Sequence, residues 1–491
     1  MLVSLDNSLS AQLYDFCIVG TGPAGITTAL KLAANGKSVL LLEGGGENYS
    51  VSSQHFYKGE VIGDVYHQLD DARLRMFGGT SAHWGGWCRT LDAEDFEAKE
   101  VAPITHWPIS RSELDPYLKE ASSILEIADF PPDELFGKSG LEIIHFTYSR
   151  QPNSTSYDRS YGKGVYFGHK YKDIIFQSNN IHLALNANVT HVNTSDGVTR
   201  SVQVMTNDGR SMRLRAKHYV LATGGIENSR LLLWSNEKNN GETVKNSQTL
   251  GKYWFEHPHY SLGDTFLFGP HSLARETSDW VNFSPTKETM TRNRTLNCSV
   301  QFRYGLDRES TKKMIGDVAC VVPSFGKWIA DMFERRLVCG VRVFSTWEQE
   351  PVSTNRVELS NSEMDRLGVP RVRLYWKKNA TDLRTARKTA ETLGKYLAEQ
   401  NIGRIRLWDW VLNNEGYPDN DYITVCHLMG GTRMAESPEY GIVDRNCRVF
   451  GQENLWIAGS SVFPSGGHAN PTLSIVQLAL RLAEHLKNRA D

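Results

Sequence analysis

The sequence has little of what marks a secreted, membrane-bound or metal-cluster protein. Its seven cysteines are odd in number and widely spaced, with no CxxC and no CxxCH. That argues against a disulfide framework, a zinc ribbon, an iron-sulfur cluster and a c-type haem. No apolar run reaches the roughly eighteen residues that a membrane helix needs, so no membrane span is expected. The opening MLVSLDNSLSAQ carries neither a basic n-region nor an arginine pair, and cytoplasmic residence is the expectation. Charge is balanced at 54 basic and 56 acidic residues, so neither nucleic acid nor an anionic surface is expected as a partner. There is no internal repeat and no low-complexity segment. What remains is a chain of 491 residues, 40% hydrophobic, long enough for two or three domains.

Near its start stands a dinucleotide fingerprint. Phe16 to Val19 is a short apolar run, Gly20-Thr-Gly22-Pro23-Ala24-Gly25 follows, and a helical stretch runs to about Asn35, capped by Gly36. A second strand, Ser38 to Leu42, ends at Glu43 and Gly44. This is a βαβ unit. The glycines permit a tight turn and close approach to a pyrophosphate at the helix N-terminus, and Glu43 can accept hydrogen bonds from a ribose. No second GxGxxG opens another such unit, which argues against a separate NAD(P)H domain. His218 to Gly225, with Ala222 and Gly224, reads as a strand entering a glycine turn, then a helix from Glu227 to Ser235.

Between these, Arg75 to Gly86 reads RMFGGTSAHWGG, a backbone able to lie flat against a planar ring and offer it N–H groups. Ser110 to Ile127 has a helical pattern with Leu114, Tyr117, Leu118 and Ala121 inward. From about Asp264 to Ile423 the texture turns to period-2 strands: Leu296 to Tyr304, Gly316 to Val322, Val338 to Trp347, Arg356 to Leu359 and Arg371 to Trp376. They predict an antiparallel sheet, interrupted by an amphipathic piece with Trp328, Ile329, Met332 and Phe333. A helix from Thr381 to about Gln400 follows. His257 and His259, in Glu-His-Pro-His, have no third ligand nearby, so a turn rather than a metal site is expected.

The C-terminal stretch combines a strand, Leu455 to Ala458, a Gly/Ser loop with Gly459 and Ser460, and a helix opened by Asn470 and Pro471. The loop thereby delivers His468 and Asn470 at the positive end of a helix dipole, a place suited to developing negative charge. Asn470 is also a good N-cap, and the two roles compete for one carboxamide.

These motifs, in this order, resemble the glucose-methanol-choline (GMC) oxidoreductase family, in its bacterial sugar and polyol branch related to pyranose oxidase. The resemblance rests on residues 20 to 25, Gly78 to Gly86, Leu221 to Leu232, Gly251 with His257-Pro258, Asn355-Arg-Val, His427-Leu-Met-Gly-Gly-Thr-Arg-Met434, and Ala458 to Pro464 leading to His468-Ala-Asn-Pro-Thr472. It implies an α/β fold: a Rossmann-type FAD-binding domain of the two-dinucleotide flavoprotein kind, plus a substrate domain with an antiparallel β-sheet. The division expected is 1–100, 181–263 and 424–491 for FAD, with 101–180 and 264–423 for substrate.

For the cofactor the resemblance implies Gly20, Gly22, Pro23, Ala24, Gly25, Glu43 and Gly44 at the nucleotide. Gly79, Thr80, Ser81, His83, Trp84 and Gly85 come from the glycine-rich loop, with Val189, Ala222 and Gly224, and then Gly459, Ser460, Pro471 and Thr472. His83 stands where pyranose oxidases carry a histidine linked to the flavin 8α-methyl; many relatives with this pattern hold FAD without the bond, and noncovalent FAD is expected. Where many members place an Asp at the end of the last strand, Gly459 stands here, so backbone N–H groups or Ser460 would replace it.

His468 and Asn470 fall at the positions of the family's catalytic pair. Removing hydride from a carbinol carbon is easier once the hydroxyl proton leaves, so a base near neutral pKa is needed at that oxygen, with the carbon facing flavin N5. The expected function is oxidation of a sugar, glycoside or polyol hydroxyl to a carbonyl, with O2, a quinone or a redox protein as acceptor. An acceptor-linked dehydrogenase of a non-sugar alcohol and a non-redox lyase on the same scaffold are the competing readings.

Overall fold

The computed structural model describes residues 1–149, 164–267, 281–304, 341–413, 416–418 and 425–489. Apolar runs become strands buried on both faces, as parallel sheets require. Leu13–Val19 lies between Val39–Leu42 and Ser211–Leu221, parallel to both, and Ile181–Ala184 pairs in parallel with Val39–Leu42. Phe16, Ile18, Leu40 and Leu41 have no exposed surface. Leu455–Ile457 adds to Ser211–Leu221 in parallel, bringing the C-terminal segment to the same sheet as the fingerprint. Asn188–Ser195 and Val198–Met205 extend the sheet as an antiparallel meander. The helices Pro23–Ala34 and Thr472–Leu486 pack together.

A second sheet is antiparallel, in the order Gly403–Leu407, His259–Leu267, Val341–Trp347, Cys298–Tyr304, Asn282–Pro285, Leu141–Ile144, Glu134–Leu135. Its strands alternate. Leu262, Phe283, Val300, Phe302 and Val343 form one apolar cluster with Leu383, Ala386, Ala390, Leu393 and Leu397 of the helix Ala380–Glu399. That helix starts with a capping box, the Asn379 side chain accepting from the N–H of Asp382 while Asp382 accepts from that of Asn379. A third, small sheet joins Arg356–Met364, Pro370–Trp376 and Gly59–Gly63 around Trp254 and Trp376.

The cores divide the chain differently from the expected boundaries. Trp107, Leu114, Ala121, Leu125, Val165, Phe167 and Ile175, expected with the substrate sheet, pack in one cluster with Phe16 and Leu41. Gly59–Gly63, expected with the nucleotide sheet, pairs with Pro370–Trp376 instead. The stretch from Ser110 to Ile127 is helical only over Leu118–Leu125, preceded by 3-10 turns at Arg111–Glu113 and Asp115–Tyr117. Pro116, which lacks an N–H and crowds the residue before it, accounts for the break. The strand expected at Gly316 to Val322 and the piece with Trp328, Ile329, Met332 and Phe333 lie outside the described residues. No helix among the described residues is long and apolar enough to cross a membrane.

Leu393 is fully buried between the second sheet and its helix. Leu393→Ala should cost about 2–5 kcal/mol and lower the midpoint of urea unfolding followed by tryptophan fluorescence.

Candidate active site

Four chain segments converge on the start of Pro23–Ala34. Gly20 has φ +106°, and a Cβ there would stand 2.4 Å from the Ala222 carbonyl oxygen; one on Gly25 would stand 2.0 Å from that of Gly20. These two positions close the turn. Gly22 and Gly224, by contrast, have nothing within 4 Å of an added Cβ, while a Cβ on Gly79 would stand 3.3 Å from Gly22 Cα and one on Gly459 3.9 Å from Ala24 Cβ. The helix has Pro23 in its first turn, no acidic residue there and no side-chain cap, so its free N–H groups face this open cradle. A dinucleotide pyrophosphate fits it.

Glu43 is buried and already holds the loops: Oε2 accepts from Thr21 N (3.2 Å) and Thr21 Oγ1 (2.5 Å), and Oε1 from Gly45 N (2.7 Å). Beside it, Gly44 leaves room for Arg75, whose guanidinium donates to Gly44 O (2.7 Å) and Asn188 Oδ1 (2.6 Å). Arg75, Asn188, Val189, Thr223 and Glu227 line a cavity of about 70 Å³ at this end. Arg75 stood inside a quoted motif, but no spacing singled it out.

In the Gly78 to Gly86 loop the side chains hold the loop itself. Thr80 Oγ1 accepts from Leu74 N, Ser81 Oγ donates to Gly78 O, and Trp84 Nε1 donates to Val165 O. That leaves backbone rather than side chains for a ring. Gly85 lies against Trp87, and His83 is exposed. Ser460 Oγ donates to Leu428 O (2.6 Å), so near Gly459 backbone groups are what remains for a cofactor. Pro471 is buried and Thr472 half-buried at the start of the last helix.

The loop before that helix resolves the competition over Asn470. No side chain caps Thr472–Leu486; the Asn470 amide Nδ2 instead donates to His427 Nε2 at 3.0 Å. The other ring nitrogen of His427, Nδ1, lies 2.9 Å from Nδ1 of His257. Backbone pairing sets this up. Phe255 and Met429 exchange both N–H···O bonds, at 3.0 and 3.1 Å, so residues 257 and 427 come opposite each other along an antiparallel bridge. The Glu256 carboxylate ties the pair further, Oε1 accepting from His427 N (2.7 Å) and His257 N (3.1 Å) and Oε2 from the Tyr66 hydroxyl (2.6 Å). Burial pushes Glu256 up to about 7, against those hydrogen bonds, holds His257 down at about 3, and keeps His427 well below the usual histidine range. His257 is thus part of a histidine pair rather than an isolated turn. The signals were present in sequence as His427-Leu-Met-Gly-Gly and Glu-His-Pro-His, but only the bridge relates them.

His468 is 2% exposed, and its nearest polar partners are Ser284 Oγ and Asp92 Oδ2, each 3.4 Å from Nε2. Burial would raise the Asp92 carboxyl, but the Arg89 guanidinium at 2.6 Å outweighs it and holds the acid ionised. The structure therefore brings Asn470 to His427, and His468 to an acid and a hydroxyl.

The face of the second sheet opposite its helix borders this cluster. Asn282, Gln301, Phe344 and Ser261 form one cross-strand row, and Ser299, Thr346 and His259 the next. Apart from half-buried Thr346 all are buried, and all but Phe344 are polar. Gln301 Oε1 and His259 Nε2 are buried atoms with no hydrogen-bond partner among the described residues.

The raised Glu256 pKa has a testable sign. Its ordinary value is 4.5 and its folded value about 7, so its stabilising protonation is fully present below pH 4.5 and is lost as pH rises through about 7. The melting temperature of the wild type minus that of Glu256→Gln should therefore fall between pH 4.5 and 8; a difference independent of pH would contradict the assignment.

The family profile described as GMC oxidoreductase matches residues 351–479. The chain is 24% identical to 2-methyl-1,2-propanediol dehydrogenase of Mycolicibacterium austroafricanum, over 98% of this chain and 96% of that protein. It is also 24% identical to the fructose dehydrogenase large subunit of Gluconobacter japonicus, over 96% and 98% respectively. Its fold is similar to that of pyridoxine 4-oxidase from Mesorbium loti, with a TM-score of 0.56 at 17% identity, covering 96% of this chain and 99% of that one. Residues 351–479 thus match the C-terminal part of GMC oxidoreductases, and the full-length likenesses to two dehydrogenases, with the βαβ cradle and the antiparallel sheet, support that family for this chain.

Proposed function

We propose that the chain is an FAD-dependent oxidoreductase that oxidises a CH–OH group of a sugar, glycoside or polyol to a carbonyl, with His427 as base and Asn470 beside it. The observation that carries this reading is the Asn470 amide donated to His427 Nε2 at the mouth of the last helix. Noncovalent FAD would lie with its pyrophosphate at Gly22, Pro23, Ala24 and Gly25, and its adenosine towards Glu43, Gly44 and Val189. Ala222 and Gly224 would flank it, and its ring would lie by Gly79 to Gly85, Gly459, Ser460, Pro471 and Thr472. Bound there, FAD supplies a two-electron acceptor for the hydrogen leaving the carbinol carbon.

His427, kept neutral by burial, takes the hydroxyl proton on Nε2 when the substrate hydroxyl replaces the Asn470 N–H at that lone pair. The Asn470 amide carries a second N–H that can hold the same oxygen and stabilise its developing charge. The base therefore moves from His468, the residue the motif alone suggested, to the histidine that Asn470 touches. His468, fixed against Asp92 and Ser284, shapes the wall beside it. The polar rows through Asn282, Gln301 and His259 support a substrate with several hydroxyls, since an unsatisfied buried polar atom costs about 1–3 kcal/mol.

The test is anaerobic titration of the flavin-loaded protein with D-glucose, methyl glucoside, D-sorbitol and 1-propanol, watching the yellow absorbance, then admitting oxygen or a quinone. His427→Ala should keep its flavin yet slow bleaching by about 10²–10⁴-fold, while His468→Ala still bleaches. The reverse pattern would return the role to His468. A companion experiment concerns the cradle: Gly22→Ala, facing open space, should fold normally and lose flavin on gel filtration, whereas Gly25→Ala, at 2.0 Å from the Gly20 carbonyl oxygen, should lower soluble yield.

A further inference from the structure

We propose that His257 is a positioning residue that fixes the proton of His427 on Nδ1 and so leaves Nε2 as the basic lone pair; this rests on the reading of His427 as the base. The inference follows from one donor. An amide NH2 has no lone pair to offer, so where Asn470 Nδ2 meets His427 Nε2 at 3.0 Å the ring nitrogen is the acceptor. A neutral imidazole with a bare Nε2 carries its hydrogen on Nδ1. That hydrogen points along the 2.9 Å contact to His257 Nδ1, which must accept it and hold its own hydrogen on Nε2, against Gly466.

The contact is built, not incidental. His257 is fully buried, and its backbone N–H and that of His427 share one carboxylate oxygen of Glu256. A Cβ on Gly466 would come within 2.9 Å of His257 Nε2, so the loop leading to Asn470 has no side chain where the ring sits. The titratable groups facing the pair are Glu256, His259 and His468, with Asp92 behind His468. None of them is bonded to a ring nitrogen of His427; His257 alone among the described residues meets Nδ1. A neutral acceptor there orients the base without raising its basicity as a carboxylate would. When His427 takes the substrate proton on Nε2, the Asn470 N–H gives up that lone pair, while on the other side of the ring Nδ1 still donates to the same His257 atom, so the contact between the two histidines is kept through the transfer.

The test uses the full chain with its flavin bound and ¹⁵N-labelled histidines. In the wild type, His427 should show a protonated Nδ1 and a bare Nε2. His257→Phe should mix the tautomers, and His257→Asn, whose side-chain carbonyl can accept the same hydrogen, should restore the single form. His257→Asp should raise the His427 titration midpoint by about one pH unit or more. The pH profile of flavin reduction by the fastest member of the sugar and alcohol panel should move with it. Should His257→Phe fail to fold, the Asn and Asp variants decide alone. An unchanged tautomer in His257→Phe, or an unmoved midpoint in His257→Asp, would overturn the role of His257. Full bleaching by His427→Ala would instead overturn the base itself, and the tautomer signals would still report on the pair.

Discussion

One buried carboxylate, that of Glu256, holds together what the site needs. Among the described residues it has no cationic partner and instead collects three donors, two of them the backbone N–H groups of His257 and His427, from segments far apart in sequence. Ion pairing would have fixed side chains; amide binding fixes backbone, and backbone fixes where two imidazoles can be. The exchange of hydrogen bonds between Phe255 and Met429 then sets the pairing of the two segments. Everything on the reactive side, from the histidine pair to the glycine loop that delivers Asn470, is arranged around that join.

The nucleotide half was legible in sequence because its determinants are local. Gly20 and Gly25 answer to steric demands at one turn, and the continuous apolar runs at Leu13–Val19 and Val39–Leu42 suit parallel strands covered on both faces. The helix Ala380–Glu399 was equally plain from its period and capping box. Domain boundaries were less so. Trp107 and Phe167 read as apolar residues in either domain, and which core they join depends on packing that no local pattern records.

The partnership of Asn470 with His427 was hidden for a different reason. His468 and Asn470 sit two residues apart at a helix start, and proximity in sequence suggested proximity in role. In the loop that Gly466 and Gly467 make, both of them positions where a Cβ would collide with neighbouring side chains, the two side chains take different partners: Asp92 and Ser284 for one, His427 for the other. Only a long-range bridge puts residue 427 beside residue 470, and a single sequence carries no trace of it.

The polar rows of the second sheet have a consequence for discrimination. Gln301 Oε1 and His259 Nε2 are buried and have no partner among the described residues, while the opposite face of the same strands is locked against a helix by apolar packing. If the substrate lies against this face, as proposed, an alcohol without further hydroxyls would press dry carbon against those atoms and forfeit about 1–3 kcal/mol at each. Such a wall selects by refusal: it need not grip the right molecule tightly, because it makes the wrong one uncomfortable. Since the refusing atoms and the stabilising ones lie on opposite sides of one sheet, the refusing side can be rewritten without loosening the fold.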